Sequence, residues 1–181
     1  MQVVLEILHL LLNTAAALVG SALLLRVYLS WLRIARHNPL VQFTWALSEW
    51  LVRPLRAVLP GRTRLDWPCV VATLIVALAF VALVRVTGIG PALDWPLLVP
   101  QALGLVVHWA LYMLVLVVSI YALLSLVNPH APLFPTFELL ARPLLAPLRR
   151  AIPPIGGFDL SPMAFLLIVF VLLTILDTVR I

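Results

Sequence analysis

The sequence predicts an all-α membrane protein with four transmembrane helices. They form two parallel (same-orientation) repeats, each built as helix, amphipathic interfacial helix, helix. Three observations carry that prediction. Four apolar stretches lack formal charge, every Lys/Arg-type cation is an arginine gathered mainly between alternate stretches, and the first half of the chain can be laid on the second.

No formal charge falls between Glu6 and Arg26, Asp66 and Arg85, Asp94 and Glu138, or Asp159 and Asp177. A helix rises about 1.5 Å per residue, so roughly 20 residues cross a hydrocarbon core of about 30 Å. The 181 residues are 64% hydrophobic and 10% charged, with mean hydropathy +1.16. Soluble domains are roughly half apolar and about a quarter charged, so a soluble fold would expose far too much apolar surface. The first repeat is placed at residues 1–88, with a span at about 7–29, a cytoplasmic amphipathic segment at 33–66 and a span at 67–86. The second is placed at 89–181, with a span at about 97–126, a segment at 133–158 and a span at 160–178. Together they make a single membrane domain.

Orientation follows from the arginines. Arg33, Arg36, Arg53, Arg56, Arg62 and Arg64 follow the first span, and Arg142, Arg149 and Arg150 lie between the third and fourth. The middle loop after Arg85 has no cation before the third span, and Arg180 is the only one at the C-terminus. The positive-inside rule therefore places the first and third loops in the cytoplasm. Both termini fall on the outer, periplasmic side of a bacterial inner (plasma) membrane. The N-terminus lacks the basic region of a cleavable signal peptide, so the first stretch is read as a retained helix.

An offset of 93 residues lays Pro39–Asp66 on Pro132–Asp159 without a gap. Pro54-Leu55-Arg56 meets Pro147-Leu148-Arg149, Pro60 meets Pro153, and Asp66 meets Asp159. With a short indel, Leu29-Ser30 falls on Leu124-Ser125. Each unit crosses twice, so the copies share one orientation, and their pseudo-twofold axis is expected along the membrane normal.

The cytoplasmic segments read as helices. Phe43, Leu47, Trp50, Leu51, Leu55, Val58 and Leu59 recur at helical spacing, with Ser48, Glu49, Arg53 and Arg56 opposite. Phe137, Leu140, Ala141, Leu144, Leu145, Leu148 and Ile152 repeat the pattern against Glu138, Arg142 and Arg149. Such stripes suit either the headgroup plane or packing on the bundle. Pro54, Pro143 and Pro147 predict kinked or two-piece helices.

The charged groups and turns form a short inventory. Net charge is +5, yet there is no lysine and no continuous basic stripe, so no nucleic-acid partner is expected. The arginines suit anionic lipid headgroups instead. The lone Cys69 excludes an intrachain disulfide and reads as a buried thiol. Ala16 and Gly20, with Ala17 and Ser21, form a small-residue face for close helix packing, including between subunits of a homo-oligomer. His9 and His108 lie within spans but at different depths, which disfavours a shared haem axis. No metal, cofactor or catalytic grouping is implied.

The second unit contains Pro147, Leu148, Arg149, Arg150, Ala151, Ile152, Pro153, Pro154, Ile155, Gly156, Gly157, Phe158, Asp159, Leu160, Ser161 and Pro162 in unbroken order. This resembles the signature of the YggT family (YlmG in some bacteria and in plastids), whose members carry one or two such units. The resemblance covers nearly the whole chain. In the first unit Pro54, Arg56, Pro60 and Asp66 are kept, but Gly61-Arg62-Thr63-Arg64 replaces the glycine pair, so the second unit is expected to be the working one. The acidic residue often seen before the family's Pro-x-Arg step is Arg142 in that second unit. The resemblance implies loose links to cell division, envelope organisation and osmotic stress in bacteria. In plastids it implies cytochrome assembly and nucleoid partitioning.

The residues themselves favour a structural role for the motif. Ser161-Pro162 has the N-cap and N1 order that starts a helix, Asp159 precedes it where the helix dipole favours an anion, and Gly156-Gly157 supplies a turn. Arg149 or Arg150 is expected to pair with Asp159. Arg53, Arg56, Arg149 and Arg150 are the candidate contacts for lipid or for a membrane or cytoplasmic protein partner. The function expected is a non-enzymatic inner-membrane scaffold or assembly factor. The competing reading is an oligomeric small-solute or ion channel in osmotic tolerance, lined by groups such as Asn13 and His108.

Overall fold

The computed structural model describes residues 2–57, 59, 66–87, 95–152 and 159–179. Six α-helices follow in order: α1 (Gln2–Trp31), α2 (Pro39–Leu55), α3 (Trp67–Val86), α4 (Leu98–Val127), α5 (Phe134–Ala151) and α6 (Ser161–Val179). A 3-10 turn at Trp95–Leu97 leads into α4, and among the described residues there is no strand. Four segments are long and apolar enough to cross a membrane: Glu6–Trp31, Trp67–Val86, Leu98–Val127 and Ser161–Thr178. Many of their large apolar side chains, such as Leu10, Leu18, Leu116 and Leu167, are exposed, and only a small share of each span is buried inside the protein. That is the inverse of a soluble protein and the arrangement a hydrocarbon solvent permits.

Chain contacts divide the molecule into two compact units, 1–110 and 111–180, so α4 contributes residues to both. In the first unit α1 packs on α3, and α2 lies against both. Leu23, Val52, Cys69 and Ala72 form one buried cluster where the three helices meet. Cys69 is a buried free thiol there, as expected from its sequence position. A second cluster joins Ala77 of α3 to Ala102 and Trp109 of α4, with Ala16 and Ala17 packed against it. The small-residue face of α1 thus receives the Trp109 ring of the same chain at Gly20. In the second unit α5 packs on α6.

Local chemistry sets the helix ends. Asn38 caps α2 by accepting from the Leu40 N–H at 2.9 Å, with Pro39 at the first helical position. α1 closes in a Schellman motif: the Ile34 N–H reaches the Leu29 carbonyl at 3.1 Å and the Arg33 N–H reaches Ser30 at 3.0 Å. The residue at the left-handed position of that motif is Arg33, with φ 55°.

Two expectations need correction. α5 runs as one helix from Phe134 to Ala151 through Pro143 and Pro147, so of the kinked and two-piece alternatives the two-piece one is ruled out. Each proline removes only one hydrogen-bond donor, and Phe137, Leu140, Ala141 and Leu145 are buried enough to hold the helix together. Ser161 is also not the cap of α6. The Asp159 carboxylate accepts from the Ser161 N–H at 3.0 Å, while the buried Ser161 hydroxyl has no hydrogen-bond partner among the described residues. The Asp159 carboxylate thus satisfies the first free N–H of the helix without it.

Candidate functional site

The two membrane-parallel candidates, α2 and α5, turn different faces inward. On α2 the buried residues are Val41, Thr44, Ser48 and Val52, whereas Phe43 is 61% exposed and Trp50 66% exposed, with Leu47 on the same side. The strongest part of the apolar stripe therefore points away from the chain, and small polar groups point into it. On α5 the stripe itself is buried through Phe137, Leu140, Ala141 and Leu145, though Leu139 stays exposed. The two copies therefore bury their stripes to different extents: α5 packs its stripe inward, and α2 leaves Phe43, Leu47 and Trp50 exposed.

The polar inner face of α2 meets a buried arginine. Arg26 of α1 is only 1% exposed. Its Nη1 donates to Ser48 Oγ at 2.7 Å, its Nη2 to Glu49 Oε2 at 2.8 Å, and its Nε lies 3.6 Å from Asp66 Oδ2. Ser48 passes the chain on by donating to the Thr44 carbonyl at 2.6 Å. Arg56 completes the network, 3.4 Å from Glu49 Oε1 and 3.3 Å from Asp66 Oδ2. Three guanidiniums surround one indole: those of Arg26, Arg56 and Arg36 lie 4.3, 4.8 and 5.4 Å from the Trp45 ring centroid. Burying an arginine is costly unless carboxylates and hydrogen bonds compensate, and here two carboxylates do.

The second unit holds a simpler version. Arg149 Nε donates to Asp159 Oδ2 at 2.8 Å and Nη2 to Tyr121 Oη at 2.7 Å. The Tyr121 ring stacks on Phe134 at 5.9 Å. Asp66 and Asp159 hold equivalent repeat positions but act differently. Asp66 makes no side-chain cap on α3, because its carboxylate is turned toward Arg26 and Arg56; Asp159 caps α6 and pairs with Arg149. Burial works to raise the Asp159 carboxyl, but hydrogen bonding from Ser161 and the Arg149 guanidinium outweigh it and hold it below the usual range. For Arg149, burial lowers and the Asp159 and Tyr121 contacts more than restore, leaving it raised.

A carboxyl depressed by folding stabilises the fold above its unfolded pKa of about 4, and that contribution fades as pH falls through the lower folded value. About a third of each side chain in the Arg149–Asp159 pair is exposed. The substitution Asp159→Asn is therefore expected to cost no more than about 1 kcal/mol at neutral pH. It should also flatten the acid limb of a detergent-phase unfolding curve below pH of about 4, and an acid limb as steep as the parent's would contradict this.

The sequence-predicted site residues are thus distributed as follows. Arg56, Asp66, Arg149 and Asp159 are joined in ion pairs. Arg53 and Arg150 are exposed and have no ion pair with any described residue. Pro147 is exposed on α5, and Pro162 and Ser161 are buried at the start of α6. Pro153, Gly156 and Gly157 lie outside the described residues. Sequence reasoning missed Arg26, Trp45, Ser48 and Glu49 as one cluster. The signal was present, because an arginine within an apolar span demands a partner, and Glu49 is the acidic residue that Arg142 replaces in the second unit. Of the two units, the first carries the richer buried network.

Four apolar helices able to span a bilayer, with charge pairs where α2 and α5 meet them, define a multi-pass helical membrane protein. The chain belongs to the CCB3/YggT family, whose model matches residues 5–87 and again 100–179, one match for each of two tandem repeats. It is 31% identical over 166 residues to the Escherichia coli K12 protein described as uncharacterised protein YggT, covering 90% of this chain and 85% of that one. It is 31% identical over 160 residues to an uncharacterised Vibrio alginolyticus protein, covering 83% of each. An uncharacterised Pseudomonas aeruginosa protein is 30% identical over 164 residues, covering 86% of this chain and 81% of that one. No solved structure matches the chain.

Proposed function

We propose that the chain is a non-enzymatic scaffold or assembly factor of the bacterial inner membrane, with both termini periplasmic and α2 and α5 at the cytoplasmic face. The observation that carries this reading is the two-faced character of α2. Its inner face is clamped to α1 and α3 by the Arg26–Ser48–Glu49–Asp66–Arg56 network, while Phe43, Leu47 and Trp50 face outward. A helix fixed on one side and apolar on the other is a rigid platform for the acyl–headgroup boundary. Each outward side chain removed from water contributes roughly 1.5–3 kcal/mol. Arg53 of α2 and Arg142 and Arg150 of α5 remain exposed, without an ion pair among the described residues, to meet anionic lipid or an acidic partner surface.

Crosslinking in native membranes followed by mass spectrometry tests this. The parent chain is expected to give reproducible protein neighbours, and the Arg53→Ala/Arg150→Ala variant to lose them while inserting normally. Neighbours unchanged in the variant, or steady conductance from purified protein in planar bilayers, would overturn the scaffold reading.

A further inference from the structure

The buried network borders a cavity of about 400 Å³ whose wall is unusually cationic. Arg26, Arg33, Arg36 and Arg56 all line it, together with Trp45 and Asp66. Asp66 and the adjoining Glu49 are already engaged by Arg26 and Arg56. Four guanidiniums thus face two carboxylates, and the excess of positive charge sits on Arg33 and Arg36. Because three of the guanidiniums surround one indole ring, their mutual repulsion is concentrated in a small volume. An anion in the cavity relieves that repulsion.

Two further observations point to a ligand. Arg26, almost wholly buried, keeps its Nε without a hydrogen-bond partner among the described residues. A buried donor left unsatisfied costs free energy unless something outside the chain completes it. The second is Arg33. It occupies the left-handed position that closes α1, with φ 55°, where glycine is the favoured residue. A local backbone cost is borne there by a side chain that lines the cavity.

We propose that this cavity is a binding site for a phosphate group. Guanidinium forks match phosphate oxygens in geometry as well as charge. The same chemistry serves the headgroup of an anionic phospholipid or a free phosphate ion, and both would enter at the α2 end of the α1–α3 pair. The site goes beyond the scaffold reading and does not need it: phosphate held without any protein neighbour, or neighbours captured without phosphate, separates the two ideas.

The test uses the purified full chain in uncharged detergent at constant ionic strength. Inorganic phosphate is titrated against chloride in one arm. In the other, micelles doped with phosphatidic acid are compared with micelles doped with phosphatidylcholine. A saturable rise in the thermal unfolding midpoint is expected in at least one arm. A rise with inorganic phosphate identifies a free-ion site, and a rise with phosphatidic acid alone identifies a headgroup site. Arg33→Gly and Arg36→Gln should each weaken the apparent affinity about tenfold. Both variants should still fold, because glycine suits the backbone at 33 and Arg36 is exposed; Arg33→Gly should match or exceed the parent midpoint without ligand. No rise in either arm, or a rise of unchanged affinity in both variants, would overturn the proposal.

Discussion

Replacing Arg26 with methionine is expected to lower the stability of the folded chain by about 2–4 kcal/mol. The methionine fills much of the same volume, so the loss is electrostatic. It takes from Asp66, whose side chain is only 14% exposed, one of its two guanidinium partners, and leaves the Ser48 hydroxyl without its donor. The magnitude falls short of the largest buried-pair effects, because Glu49 is partly exposed and Arg56 still reaches both carboxylates. Adding Asp66→Asn to the Arg26→Met chain should restore part of the loss, since it removes a largely buried charge left with Arg56 alone. A double-mutant cycle on the unfolding midpoint in detergent measures this coupling, and strict additivity would show that the two groups do not support each other. The same substitution should make α2 more accessible to protease near Glu49, because the clamp holds that helix to the α1–α3 pair.

Gly20→Ala is the second large effect expected. A methyl group there would lie no farther than 2.7 Å from three atoms of the Trp109 ring. That ring is buried against Ala77 and Ala102, so it cannot swing aside as a long aliphatic side chain could. Overpacking of this kind costs about 1–3 kcal/mol. In a bilayer, close packing is a main force joining apolar helices, so the loss is not offset elsewhere. Trimming Trp109 to leucine should relieve the clash, leaving the double variant less destabilised than the sum of the two single changes. A Gly20→Ala chain as stable as the parent would refute the close approach of α1 to Trp109.

The four apolar helices were legible because bilayer thickness imposes one length and composition on every span. The pairing of Arg149 with Asp159 was legible as well, since the two lie only ten positions apart, one near the end of α5 and the other just before α6. The Arg26 cluster was not read. Its members lie 22, 23 and 40 positions apart along the chain, and no local pattern links an arginine in a span to a serine and a glutamate on an amphipathic helix. The α2 stripe was visible as a stripe, but periodicity marks a face without saying which side of the helix the rest of the protein covers.

By itself, then, the sequence determined how many helices are able to cross a membrane and that they come as a tandem pair of units. These are properties legible in residue order alone. Tertiary structure decided that the first repeat buries Arg26 against two carboxylates while the second keeps a simpler pair, and that Phe43, Leu47 and Trp50 of α2 face outward. Those outcomes depend on which side chains meet across helices, where a buried charge must find its partner or not be buried at all.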